Sequence, residues 1–115
     1  CSMVLAIMAS GFNGQSFAFH GYLPTDGAAR RTRLKALENR AYADDQTQLF
    51  IETPYRNLRM LADILTSCRP ATRLCIAAGL TCADEYAVTH TIAEWRKAAP
   101  PPIDKVPCIF LLYKG

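Results

Sequence analysis

With 115 residues, half of them apolar, the chain holds one domain able to bury a modest core without disulfides. No apolar run approaches the roughly 18 to 20 residues of a membrane span and no basic-then-apolar leader opens the sequence, so a soluble, cytoplasmic protein without a membrane partner is expected. The formal net charge is only +3, and all of it sits in Thr25 to Arg40, where five basic residues face two acidic ones while the remainder carries eight of each.

Ser2 to Ser10 (SMVLAIMAS) is predicted as a helix. Met3, Val4, Leu5, Ile7 and Met8 leave it no polar side, so it requires burial on several sides. After the loop GFNGQ, the segment SFAFHGYLP reads as a strand stopped by Gly21 and Pro24. Thr25 or Asp26 then caps a helix running to about Tyr42. Leu34, Leu37 and Ala41 share one stripe of this helix, so most of Arg30, Arg31, Arg33, Lys35 and Arg40 are expected to project into water. They form either a solvated face or a phosphate-contacting patch.

Thr47 to Ile51 is β-branched and aromatic, a strand, whereas Leu58, Leu61, Ala62 and Leu65 recur at helical spacing. Glu52-Thr53-Pro54 is therefore a strand-to-helix turn. Arg73 to Ala78 (RLCIAA) is a continuous apolar run of buried-strand type ended by Gly79. Glu85 to Thr91 alternates and follows too closely for a helical crossover, which predicts an antiparallel strand. Thr91 begins the helix TIAEWRKAA, in which Trp95 anchors the helix to the sheet, and Cys108 to Tyr113 (CIFLLY) is the last strand. The fold class is α/β, a mixed sheet of about five strands flanked by helices.

Three strands of one direction thus end at Gly21 to Pro24, Glu52 to Pro54 and Gly79 to Thr81, and in an open α/β sheet the carboxyl edge is where ligands bind. Glu52 is the acid at that edge and the candidate for a catalytic base. Its blander role is a strand-end carboxylate capping the next helix near Tyr55 to Asn57. His20 is read as structural. Five cysteines, at 1, 68, 75, 82 and 108, lack any CxxC pair, so they are read as reduced thiols and no metal site is expected.

Taken together, GYLP at 21 to 24, LFIETPYRNLRMLADIL at 49 to 65, LCIAAGLT at 74 to 81 and the TIAEW helix resemble the C-terminal half of tetrapyrrole-methylase-type methyltransferases. Order and spacing are most similar to the branch that methylates a ribose 2′-hydroxyl of small-subunit ribosomal RNA, with GYLP, ETPYR and GLTC standing where that branch carries GFLP, ESPHR and ELTK. The resemblance implies S-adenosyl-L-methionine as cofactor, bound in a trough between two domains. On that reading residues 1 to 10 end an inter-domain helix and 11 to 115 form the C-terminal domain.

Carried over by position, Ile51, Glu52 and Thr53 would meet the cofactor, and Gly79, Leu80 and Thr81 would close the trough from the neighbouring strand. Substrate contacts would come from Tyr22, Pro24, Arg30, Arg31, Arg33 and Arg56. The branch's basic pair after GFLP is replaced here by Thr25-Asp26, its Arg-Glu by Ala78-Gly79 and its Lys by Cys82, which keeps a corrin or porphyrin precursor as the alternative acceptor. A homo-oligomer is expected. An interaction module or an RNA-binding module without catalysis is the competing class.

Overall fold

A computed structural model describes residues 2–79 and 85–115. The elements in chain order are α1 (Ser2–Ser10), β1 (Phe17–Tyr22), α2 (Gly27–Asp44), β2 (Thr47–Ile51), a 3-10 turn (Pro54–Arg56), α3 (Asn57–Ser67), β3 (Arg73–Ala78), β4 (Tyr86–Thr91), α4 (Ile92–Lys97) and β5 (Cys108–Tyr113). They form a five-stranded mixed sheet in the order β1-β2-β5-β3-β4. β1 and β2 are parallel, and β5 lies antiparallel between β2 and β3, so β1, β2 and β3 run the same way. β4 pairs antiparallel with β3, as expected from the short connection.

Side chains alternate across the sheet, and each face meets different cover. Phe50, Leu74, Ile76, Phe110 and Leu112 point to one face and pack with Leu34 and Leu37 of α2, Met60 and Ile64 of α3, and Ile92 and Trp95 of α4. Leu49, Cys75, Ala77 and Leu111 point to the other and pack with Ala6 and Ile7 of α1 and with Phe12. Because both faces of the central strands are covered, their sequences read as continuous apolar runs.

Local chemistry sets the boundaries. Asp26 caps α2 by accepting the Ala29 N–H at 2.9 Å, and Thr91 and Glu94 form a reciprocal capping box on α4. Gly11, at φ 74°, takes the left-handed conformation just past α1. The indole N–H of Trp95 donates to the Leu74 carbonyl at 2.8 Å, tying α4 to β3 as its sequence position suggests. Cys68, Cys75 and Cys108 are buried free thiols. Among the described residues no helix is long and apolar enough to cross a membrane, and no group of metal-ligating side chains comes together.

Candidate functional site

β1 and β2 keep register from Phe17↔Thr47 to Phe19↔Leu49, then slip so that Tyr22 pairs with Ile51. One extra residue has entered β1, and Gly21 at φ 66° absorbs it. The slip changes which way Tyr22 points. It brings Tyr22 onto the face of Phe19 and Ile51, at the carboxyl edge of the sheet.

On that face and edge lies a groove of about 590 Å³, walled by Phe19, Tyr22, Ile51, Ala77 and Ile109 from the strands and by Met3 from α1; Glu52, Pro54, Gly79 and Pro107 supply its edge. The lining is mainly apolar. Cys108 also borders it, and burial pushes its thiol up to about 12, which keeps it protonated and unreactive at neutral pH. Gly79, at φ 60°, turns the chain away from β3 without a side chain in the groove.

Of the residues expected at a ligand edge, Tyr22, Ile51, Glu52 and Gly79 line this groove, whereas Pro24, Thr53, Arg30, Arg31, Arg33 and Arg56 do not. Leu80 and Thr81 lie outside the described residues. Gly79 does not come from the strand beside β2, because β5 is inserted between them and contributes Ile109 and, just before it, Pro107. Met3 was missed because helix spacing alone does not say where a helix docks. Phe19 was missed as well, although its alternation with His20 and its place two residues before Gly21 were a signal for it.

Arg30 departs most from the sequence reading. It stands four residues before Leu34 and so belongs to the inward stripe, and only 1% of it is exposed. Its Nη1 donates to Glu52 Oε2 at 2.9 Å and its Nε to Asp63 Oδ2 at 2.8 Å. Glu52 Oε1 accepts the Thr53 N–H at 2.7 Å. Both Glu52 oxygens are therefore engaged with α2 and with its own turn, and Glu52 does not cap the following helix, whose start has no side-chain cap. A buried charge needs such partners, because an isolated one costs several kcal/mol or more. Arg31 approaches Asp63 at 3.4 Å, and exposed Arg33 approaches His20 Nδ1 at 3.4 Å.

His20 Nε2 meets Gln48 Oε1 at 2.6 Å. Burial lowers its pKa below the ordinary value, the Gln48 contact opposes this, and the charges of Arg33 and Arg40 add to the lowering. At the outer end of the 52–54 turn, Tyr55 is 60% exposed, with the Arg56 guanidinium 4.9 Å from its ring centroid.

No family model matches the chain. Among curated proteins, it is 38% identical over 64 residues to ribosomal RNA small subunit methyltransferase I of Pseudomonas aeruginosa, covering 56% of this chain and 21% of that protein. It is 31% identical over 100 residues to the protein of that name from Buchnera aphidicola, covering 84% and 34%. The chain thus spans about a third or less of these relatives' length.

Among solved structures it superposes on the cobalamin biosynthetic enzyme cobalt precorrin-4 methyltransferase with TM-score 0.63 at 13% identity, covering 97% of this chain and 48% of that one. Uroporphyrin-III C-methyl transferase from Thermus thermophilus, complexed with S-adenyl homocysteine, gives TM-score 0.50 at 16% identity, covering 94% and 48%. On an α/β fold that corresponds to about half of those methyltransferase structures, the chain is homologous to part of ribosomal RNA small subunit methyltransferase I.

Proposed function

We propose that this chain is the C-terminal part of an S-adenosyl-L-methionine-dependent methyltransferase and supplies one wall of its cofactor trough, with small-subunit ribosomal RNA, at a ribose 2′-hydroxyl, as the acceptor. The observation that carries this reading is the groove at the carboxyl edge of β1, β2 and β3, which gathers Tyr22, Ile51, Glu52 and Gly79 in a chain related to enzymes of that name. The lining suits the cofactor: apolar Ile51, Ala77 and Ile109 would shed water from a flat ring, and Gly79 permits close backbone approach.

When bound, S-adenosyl-L-methionine supplies a sulfonium-activated methyl group. The chain's own contribution is positional, and alignment alone can supply roughly 7 to 11 kcal/mol of a barrier. Asp63 fixes Arg30, Arg30 holds Glu52 still, Glu52 holds the Thr53 amide, and the backbone at 51 to 53 keeps its shape as a wall. The rest of the trough would come from the family's other domain, joined through α1. We further read the protein as cytoplasmic and homo-oligomeric, the latter supported by Val4 and Met8, which stand half or more exposed on α1.

Calorimetric titration with S-adenosyl-L-methionine, on this chain and on a protein joining it to the family's other domain, tests the reading together with transfer of labelled methyl to small-subunit ribosomal RNA. The joined protein is expected to bind and to label ribose, and this chain alone to bind weakly. No heat from either would point to an interaction module. Label on a tetrapyrrole instead of RNA would reassign the acceptor.

A further inference from the structure

Tyr55 sits on a turn that is held from several directions. The Arg56 N–H donates to the Thr53 carbonyl at 2.8 Å and the Lys105 N–H to the Pro54 carbonyl at 3.1 Å. Asn57, at the start of α3, donates its side-chain amide to the carbonyls of Ile103 at 3.0 Å and Val106 at 2.6 Å, binding the 103–106 segment to the same turn. The ring nevertheless lies in water and belongs to neither apolar core. A large ring on a rigid backbone, left outside the core, contributes little to folding and is pre-arranged for contact.

One face of that ring carries the Arg56 guanidinium. The surrounding charge is mostly positive: Arg56, exposed Arg59 and exposed Lys105 stand against exposed Asp104, while Glu52 and Asp63 are already paired with Arg30 and Arg31. Pro54, next to Tyr55, borders the groove. Exposed aromatic rings beside cations are what unstacked nucleobases and their phosphates bind.

We propose that Tyr55, with Arg56 and Lys105, is a base-stacking platform for single-stranded RNA at the mouth of the groove, holding a nucleotide of the acceptor strand. This rests on the RNA reading above and names the residue that would grip the strand. Stacking would use the free face of the ring, with the neighbouring cations on the phosphates.

The chain and its Tyr55→Ala and Tyr55→Phe variants, each checked for native circular dichroism, are titrated at low salt with a mixed-sequence single-stranded oligoribonucleotide and with inorganic polyphosphate, a polyanion without bases. Tyr55→Ala is expected to weaken RNA binding about tenfold, the worth of one stacked base. Tyr55→Phe should stay within about twofold, and polyphosphate binding should not change, because the charges remain. RNA binding by Tyr55→Ala equal to that of the unaltered chain, or an equal loss of RNA and polyphosphate binding, would overturn the platform alone. Failure of the unaltered chain to bind RNA at low salt would overturn both the platform and the RNA reading.

Discussion

The two faces of the sheet are built from the same strands yet are finished differently. One is sealed by α2, α3 and α4, and its charges are paired inside it: Arg30 with Glu52 and Asp63, Glu38 with Thr72 and the Arg69 amide. The other has α1 across its middle and leaves Phe17, Phe19 and Tyr22 exposed toward β1, with the groove at its carboxyl edge. Stability is concentrated on the sealed face. The half-open face spends apolar surface on water, which a molecule does where something else is to be bound.

The largest expected contrast comes from truncating one aromatic on each side. Phe110→Ala on the sealed face, where Phe110 stacks on Phe50 at 5.6 Å, should cost about 3 to 5 kcal/mol in denaturant unfolding. Phe19→Ala on the half-open face, with Phe19 45% exposed, should cost under about 1 kcal/mol while weakening ligand binding in the groove. Equal losses would erase the distinction. Arg30→Met follows closely: it strips Glu52 of its cation and leaves Asp63 only the longer contact to Arg31, and should destabilise by about 3 kcal/mol or more, with Arg30→Lys recovering only part because one ammonium cannot span both carboxylates as a guanidinium does.

Gly79→Val tests the edge between the faces. Any branched side chain at φ 60° is strained by about 1 to 2 kcal/mol, and here it would also enter the groove, so S-adenosylhomocysteine binding should fall more than stability does. On the outer side of α1, Met8→Lys should leave stability within about 0.5 kcal/mol, since Met8 is 73% exposed, yet abolish self-association in sedimentation at high concentration. A strict monomer before the change would show that this side of α1 meets no second copy.

Much of this architecture was legible in the sequence, and the reasons are local. Period, caps and turn residues mark every element, and β4 is short of residues for a crossover, which sets its direction. What was not legible is long-range. The insertion of β5 between β2 and β3 is decided by packing across the whole sheet, and the re-aiming of Tyr22 depends on one bulge at Gly21. Arg30 is an intermediate case: its place in the Leu34 and Leu37 stripe was visible, but the partners that make an inward arginine tolerable come from β2's end and from α3.

The smallest effect expected is a titration. His20, on the α2 side of β1, has its pKa lowered from 6.5 chiefly by burial, so folding favours the neutral ring. Its contribution to stability is then present above pH 6.5 and is lost as pH falls from there through the folded value. His20→Gln should flatten this part of the pH dependence of the unfolding midpoint, and an unchanged slope would remove His20 from the account.

The central claim, that the half-open face is the ligand face, is tested most directly by amide chemical-shift mapping of this chain with millimolar S-adenosylhomocysteine. The shifts are predicted to cluster at Tyr22, Ile51, Glu52, Ala77, Gly79 and Ile109, the groove's own residues. Shifts confined to α2, α3 and α4, or none at saturating ligand, would contradict it.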